Sequence, residues 1–268
     1  LFACIGVLPL NATELTLATF NVSMEAENYV AKGQPLGPQV LSQQLQSGHN
    51  EQIRNIAAII QQVQPDIILL NEFDYIADPS QGVKLFLQNY LAKSQHGGKP
   101  IEYPYFYYTA VNTGQASGFD LNQDGKINQL PEDAWGFGHY PGQYGMLLLS
   151  KYPIEGGKAR TFQQFKWRDM PNHKVTRKAD GSPWFSPEAW AQMPLSSKSH
   201  WDLPINIAGK TLHVLASHPT PPVFDGAENR NGNRNHDEVR FWVDYVAGES
   251  YMTDDQGRRG GYQGSAPF

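Results

Sequence analysis

Three polar side chains follow apolar segments that are typical of buried strands. Asn21, Glu72 and His218 each stand at the last residue of such a segment or directly after it. The segments are residues 15–21 (LTLATFN), 66–72 (DIILLNE) and 211–217 (TLHVLAS). Because α/β folds gather polar groups where buried strands end at one sheet edge, we expect these three side chains to lie close together.

The types of these side chains define the chemistry that such a site can support. A carboxylate beside an amide oxygen suits a hard cation such as Mg²⁺, Mn²⁺ or Ca²⁺. A histidine near that cation can hydrogen-bond a phosphoryl oxygen or move a proton. The residues alone leave simpler alternatives open, namely a histidine that caps its strand, a surface carboxylate and an amide in a turn.

The order of the other elements predicts an α/β fold. Strand 15–21 is followed by a helix at 51–64, whose apolar face includes Val63, and then by strand 66–72. Gly, Pro and Gln are scattered through 24–50, which predicts a loop. Further along, the patterns predict a helix at 81–92, a strand at 144–150, a short helix at 187–193, strands at 203–208 and 211–217 joined at 209–210, and a helix at 237–247 capped by Asn235 or Asp237.

Composition indicates a soluble globular protein of one or two domains. The chain has 268 residues, of which 40% are hydrophobic and 18% charged. Its formal net charge of −5 provides no basic surface for tight, non-specific binding of nucleic acid. A nuclease is still compatible with this charge, because a bound metal ion can neutralise the phosphate locally. We find no repeats and no linker between domains.

The first twelve residues, LFACIGVLPLNA, are typical of the end of a secretory signal peptide. We therefore expect residues 1–12 to be a signal remnant, residues 13–268 to form one domain, and the protein to be secreted or periplasmic. Removal of the remnant would also remove Cys4, the only cysteine. The alternative is a buried N-terminal strand.

Four motifs carry a resemblance to a known family. They are residues 18–22 (ATFNV), 65–72 (PDIILLNE), 144–154 (YGMLLLSKYPI) and 215–222 (LASHPTPP). In order and spacing they resemble the endonuclease/exonuclease/phosphatase superfamily, and most closely its exported bacterial members. The resemblance implies an α/β (α+β) fold of the deoxyribonuclease-I type: a four-layer sandwich of two mixed β-sheets flanked by helices. It also implies metal-dependent hydrolysis of phosphate esters.

The resemblance assigns roles to four residues. Glu72 would bind the catalytic metal, Mg²⁺ or Mn²⁺, with Asn21 as its neighbour on the first strand. His218 would contact the scissile phosphate or assist the leaving group, and Tyr144 would contact the phosphate. The family also expects a later Gly-Asp-x-Asn motif and a terminal Ser-Asp-His motif, and neither occurs in the sequence. We therefore expect a chain shortened at both ends, with the C-terminal part missing and activity impaired.

A second candidate metal site lies in an insertion at about 112–142. Residues 120–128 (DLNQDGKIN) match the opening of a calcium loop, with Gly125 at its sharp turn. Position twelve of the motif is Pro131 rather than Glu, and no helix pair flanks the loop, so a turn rich in Asx and Gly is the alternative. The predicted calcium ligands are Asp120, Asn122, Asp124, Lys126 and Asn128.

Further polar residues could line a phosphate pocket. Lys198, His200 and Asp202 precede or begin a predicted strand, and solvent exposure at the start of that strand is the alternative. Residues 227–240 (AENRNGNRNHDEVR) follow His218 closely and are rich in groups able to form charge-assisted bonds with phosphate. From these two stretches we predict substrate contacts by His200, Arg234 and Asn235.

The sequence as a whole predicts an exported, monomeric, metal-dependent phosphoesterase. Its substrate would be nucleic acid or a smaller phosphate ester, which one sequence does not distinguish, because substrate choice depends on loops. No apolar segment after the N-terminus approaches the roughly 18–20 residues needed to cross a membrane. The alternative function is a secreted, calcium-ordered binding module without catalysis.

Overall fold

The computed structural model describes residues 14–127 and 129–268. The predicted signal remnant at 1–12 and Asn128 of the candidate calcium loop lie outside the described residues. Within the described ranges, no helix combines the length and the apolar character needed to span a membrane.

The first sheet has four strands in the order β1-β2-β4-β3. Strand β1 runs parallel to β2, whereas β4 is antiparallel to both β2 and β3. A parallel pair needs a long crossover, and the chain between β1 and β2 provides it with two helices, α1 (Pro38–Ser47) and α2 (Glu51–Val63). The strands are β1 (Leu17–Met24), β2 (Ile67–Phe73), β3 (Tyr105–Tyr107) and β4 (Met146–Ser150).

The second sheet is antiparallel, with strands β5 (Arg160–Thr161), β6 (His200–Ile207) and β7 (Lys210–Ser217) in that order. Strands β6 and β7 are joined by a two-residue turn, Ala208-Gly209, in which both φ angles are positive. This is the turn that suits the twist of a hairpin, and it lies one residue before the predicted position. The prediction of two mixed sheets therefore holds for the first sheet only.

Helices cover the outer faces of both sheets. The helices are α1 (Pro38–Ser47), α2 (Glu51–Val63), α3 (Val83–Phe86, continued by a π turn at Leu87–Leu91), α4 (Pro187–Gln192) and α5 (Arg230–Val246). Helices α1, α2 and α3 pack against the outward side chains of the first sheet, and α5 packs against those of the second. Short 3-10 helices lie at Ala26–Asn28, Gly156–Lys158 and Trp167–Asp169.

The two sheets pack face to face through their inward side chains. Trp201 and Leu203 on β6 belong to one buried cluster with Ile67 on β2 and Leu148 on β4. The Trp201 ring also meets the ring of Tyr107 edge-on, with centroids 5.1 Å apart. The predicted four-layer α/β sandwich is therefore confirmed.

Helix α1 lies within the segment predicted as a loop. Its sequence is rich in Gln, and only three of its ten side chains, Val40, Leu41 and Leu45, are buried. The helix starts after Gly37 and ends at Gly48, which adopts the left-handed conformation of a helix C-terminus. The apolar pattern was too sparse to reveal this helix, which tertiary packing stabilises.

Helix α5 starts seven residues earlier than predicted, at Arg230 rather than at 237. Its first two turns are polar and contain Gly232, so they lack the apolar period of a helix. Asp225, which precedes the helix, provides hydrogen-bond acceptors for the free backbone N–H groups of the first turn of α5. The Asp225 Oδ2 atom accepts from the backbone N of Asn231 (2.6 Å) and of Gly232 (3.3 Å). Asn235 and Asp237, the predicted caps, lie inside the helix.

Helix α2 begins at the predicted residue and ends at Val63, one residue before the predicted end. The side chain of Asn50 accepts a hydrogen bond from the backbone N of Ile53 (3.2 Å) and so caps the helix. Val63 is the exception on the predicted apolar face, since it is more than half exposed.

Removal of the central tryptophan tests the packing of the sheets. We expect Trp201→Ala to lower the free energy of unfolding by about 3–5 kcal/mol, because Trp201 is 0% exposed and the surrounding side chains cannot fill the space. Val243→Ala on α5, where the side chain is 65% exposed, should change it by less than about 0.5 kcal/mol. Denaturant unfolding measures both values, and equal effects would contradict the described packing.

Candidate active site

A cleft of about 790 Å³ opens where β1 and β2 of the first sheet and β7 of the second reach the same end of the sandwich. Asn21, Glu72 and His218 all line it, together with Tyr144 and Lys198. The three strand-end residues that the sequence singled out are therefore brought together. A volume of this size is in the range of pockets that enclose small molecules.

The backbone is irregular where the first sheet enters the cleft. Asn21 pairs with Asn71 and Met24 pairs with Phe73, so that two residues of β1 lie opposite Glu72 of β2. Glu72 itself has a φ of 60°, in the left-handed region that a residue with a Cβ rarely adopts. Glu72 therefore lies at a β-bulge in a strained backbone conformation, and strained positions of this kind are common at functional sites.

Short contacts orient the side chains of Asn21 and Glu72. The Oδ1 atom of Asn21 accepts a hydrogen bond from the backbone N of Ser23 (3.1 Å). The Ser23 hydroxyl donates to Glu72 Oε2 (3.3 Å). Directly before Glu72, the Oδ1 atom of Asn71 is buried and accepts no hydrogen bond from the described residues. Several oxygen acceptors thus lie around this end of the first sheet.

His218 faces Glu72 from the second sheet, with its Nε2 atom 3.8 Å from Glu72 Oε1. Its Nδ1 atom is buried and has no hydrogen-bond partner among the described residues. Burial, assisted by the nearby charge of Lys198, lowers the pKa of His218 to about 3. The imidazole is therefore neutral at neutral pH, and it can donate one hydrogen bond without carrying a charge.

Tyr144 lines the cleft beside Glu72 and is itself in the left-handed region, with a φ of 57°. Its hydroxyl donates to Glu27 Oε2 (2.9 Å), and its backbone N donates to Asp74 Oδ1 (3.1 Å). Burial and the hydrogen bond to Glu27 raise the pKa of the Tyr144 hydroxyl. Tyr144 therefore lies in the cleft as a neutral phenol whose one hydroxyl proton is donated to Glu27.

Behind Glu72 lies a cluster of carboxylates that the sequence analysis missed. Burial raises the pKa of Glu25 to about 7, and the charges of Glu72 and Glu27 add to this effect. Burial also raises the pKa of Asp74 to about 8, although the hydroxyl of Tyr140 donates to it. Asp74 follows β2 two residues after Glu72, and that position was the one signal available in the sequence.

Helix α5 holds in place the loops that form the wall of the cleft on the side of the second sheet. Glu238 is fully buried, and its two oxygens accept from the backbone N of Ser197 (2.9 Å) and of Thr220 (2.6 Å). Its carboxylate thus joins the segment before β6 to the segment after β7. Lys198 and His218 owe their mutual placement to this connection.

Two of the predicted substrate contacts serve the same loops instead. The Asn235 amide donates to the carbonyl of Thr220 (2.7 Å), and Asn235 does not line the cleft. Arg234 does line it, but its guanidinium donates to the carbonyls of Leu195 (2.8 Å) and Pro194 (2.9 Å). The backbone carbonyls of these loops accept the hydrogen bonds of both side chains, and the sequence does not show that these carbonyls lie next to α5.

His200 lies away from the cleft, contrary to the prediction of a substrate contact. It is buried beside the rings of Phe241 and Trp242, and its Nε2 atom is 2.8 Å from the backbone oxygen of Glu238. Asp202, two residues further along β6, is buried and bonded to His213 Nδ1 (2.6 Å). Lys198, which does line the cleft, lies before β6, so the strand alternation that places His200 and Asp202 on one face of the sheet does not set its direction.

The candidate calcium loop is folded around its own backbone. Asp120 Oδ1 accepts from the backbone N of Gln123 (2.6 Å), and its Oδ2 accepts from that of Gly125 (2.9 Å). Asn122 and Asp124 accept from the backbone N atoms two residues further on, those of Asp124 and Lys126. These bonds are those of an Asx-rich turn, and calcium in this loop stays a prediction.

The donors in the cleft fit a hard divalent cation that keeps several water ligands. Glu72 and Asn21 supply a carboxylate and an amide oxygen, and the described residues contain no group of three or more His, Cys, Asp or Glu side chains able to hold a metal. Mg²⁺ is commonly held by one or two carboxylates, with water and substrate phosphate completing its shell. The residues present are compatible with that mode of binding.

The raised pKa of Glu25 predicts a pH-dependent effect on stability. Between pH 4.5 and about 7 the folded protein binds more protons than the unfolded chain, so this group lowers stability as pH rises through that window. We expect Glu25→Gln in chelator-treated protein to become more stable relative to wild type from pH 5 to pH 8, by on the order of 2 kcal/mol. Thermal unfolding measures this change. Glu51→Gln, at an exposed position in the first turn of α2, is the surface control. A difference that does not vary with pH would contradict the buried position of the carboxylate.

Similar solved structures include an endonuclease/exonuclease/phosphatase family protein from Leptotrichia buccalis, at 13% identity and a TM-score of 0.40, covering 85% of this chain and 63% of that chain. They also include sphingomyelinase C from Streptomyces griseocarneus, at 16% identity and a TM-score of 0.40, covering 88% and 60%. A beta toxin variant from Staphylococcus aureus with bound magnesium ions matches at 17% identity and a TM-score of 0.38, covering 86% and 59%.

The chain thus spans less than two thirds of the length of these structures. A search of curated proteins found no match. The model of the Endonuclease/Exonuclease/phosphatase family matches residues 18–254, a range that includes Asn21, Glu72, Tyr144 and His218. Because that match covers most of the sequence, the chain belongs to the Endonuclease/Exonuclease/phosphatase family.

Proposed function

We propose that this protein is a metal-dependent phosphoesterase whose active site is the cleft between the two sheets. The observation that carries the proposal is the meeting of Glu72 and Asn21 from one sheet with His218 from the other, at the mouth of one cleft. Membership of the family supports a fold used for phosphoester hydrolysis. The metal itself is inferred from the oxygen donors, and Mg²⁺ or Mn²⁺ suits them best.

Different residues of the cleft would bind the cation and orient the phosphate. Glu72 and Asn21 would hold the cation, which supplies Lewis-acid stabilisation of the charge that develops on the phosphoryl group. His218, which is neutral, donates a hydrogen bond to a phosphoryl oxygen or to the leaving oxygen. Tyr144 lies beside them as a neutral phenol, which would contact the phosphate by exchanging its hydrogen bond to Glu27 for one to a phosphoryl oxygen.

The class of substrate follows only in part from these residues. The cleft volume suits a small phosphate ester or the end of a chain, and the net charge of −5 disfavours extended contact with nucleic acid. Within the proposal, the protein acts as a monomer. We also propose export to the periplasm or the exterior, which is supported by the apolar sequence of residues 1–12.

Hydrolysis of a generic phosphodiester and a generic phosphomonoester tests the proposed function. We expect Mg²⁺-dependent turnover that a chelator abolishes, and Glu72→Gln should reduce it to the chelator-treated level, because the carboxylate that holds the cation is gone. His218→Gln should lower kcat by about 10²–10³-fold, as expected for the loss of one preorganised donor.

Glu51→Gln on the surface of α2 is the matched control and should retain wild-type activity. Turnover that persists with chelator, or full activity in Glu72→Gln, would refute the metal-dependent mechanism. No turnover of either ester by folded, Mg²⁺-loaded protein would favour a non-catalytic binding module of the same fold.

A further inference from the structure

Lys198 is a buried cation in the wall of the cleft. Its side chain comes from the segment just before β6 and is only 6% exposed, yet it lines the cleft with Glu72 and His218. The ammonium group donates to the hydroxyl of Ser197 (3.3 Å) and takes part in no ion pair with the described residues. Burying a charge without a paired counter-ion is costly, and the fold stabilises the position of this charge nonetheless.

The charges around Lys198 leave the wall positive. Arg234 also lines the cleft, and its guanidinium is bonded to backbone carbonyls rather than to a carboxylate. Arg230, the third cation in the lining, is paired with Glu228. Glu238 is the nearest buried carboxylate of α5, but both of its oxygens accept hydrogen bonds from backbone N atoms. His218 adds no charge, because burial keeps it neutral.

The protonation of Lys198 is compatible with a role at neutral pH. Burial lowers the pKa of the Lys198 ammonium to about 8, against the opposing effect of Glu238 and Glu72. The group therefore carries its charge at pH 7, and an anion bound beside it would favour that charged form further. Buried cations of this kind are common at functional sites.

We propose that Lys198 is the anion-binding group of the cleft, and that it holds a non-bridging oxygen of the substrate phosphate from the wall that the second sheet supplies. That the anion is a substrate phosphate rests on the function proposed above, whereas the presence of an anion site does not. Glu72 and Asn21 belong to the first sheet, so a phosphate held by both walls would span the gap between the sheets. Lys198 would thus fix the substrate relative to His218, because Glu238 joins the backbone of Ser197, next to Lys198, to that of Thr220, two residues after His218.

Binding of inorganic phosphate, measured by calorimetry with Mg²⁺ and again with chelator, tests this role. We expect Lys198→Met to weaken phosphate binding by at least tenfold while the melting temperature stays level or rises, because an unpaired buried charge has been removed. Lys198→Arg should retain part of the affinity. Lys210→Met, which removes an exposed lysine at the opposite end of β7, should match wild type in both measurements.

Two outcomes overturn the proposal: wild-type protein that binds no phosphate with Mg²⁺ present, or a Lys198→Met variant that binds phosphate as tightly as wild type. If the methionine variant does not fold, Lys198→Gln, which keeps a polar end near Ser197, takes its place, and the same outcomes decide. Phosphate binding that depends on Lys198 in a protein without hydrolytic activity would support the anion site and refute the esterase. Hydrolysis with phosphate affinity unchanged in the variant would refute the anion site alone.

Discussion

The face-to-face packing of the two sheets is the constraint on which the rest of the structure depends. Trp201 and its apolar neighbours fix the distance and the angle between the sheets, since a close-packed interior tolerates little displacement. Glu72 belongs to one sheet and His218 follows the other, so their separation of 3.8 Å is a consequence of that packing. The cleft therefore lies between two layers whose spacing is set by the packed interior of the sandwich.

Helix α5 positions the loop segments that carry Lys198 and His218 on the frame formed by the two sheets. The segments that carry Lys198 and His218 have no strand pairing of their own beyond the ends of β6 and β7, and their backbone groups need partners. Glu238 and Asn235 provide those partners by bonding to Ser197 and Thr220. A buried carboxylate that accepts two backbone N–H groups is well satisfied, so the connection rigidifies the wall at little cost.

Electrostatics divides the cleft into two unlike walls. The first sheet contributes the carboxylate of Glu72, and behind it lie Glu25 and Asp74, whose pKa values are raised by burial and by nearby acidic groups. The second sheet contributes the positive charge of Lys198 and the neutral imidazole of His218. A cation on the acidic wall and an anion on the basic wall would each relieve a desolvated charge, and a metal–phosphate complex does both.

The sequence by itself determined strands β1, β2, β4, β6 and β7, helix α2 with its Asn50 cap, and the placement of Asn21, Glu72 and His218 in or directly after three of these strands. These features depend on local periodicity and on residues adjacent in the chain, which a single sequence displays. Only the tertiary structure decided the polar start of α5, the packing role of His200, the use of Arg234 and Asn235 as loop anchors, and the acidic groups behind Glu72. Their positions depend on contacts between segments that are distant in the chain. A buried carbonyl or backbone N–H needs a hydrogen-bond partner, and the partner is a polar side chain that the fold brings near. Which side chain that is becomes defined only when the two sheets have packed.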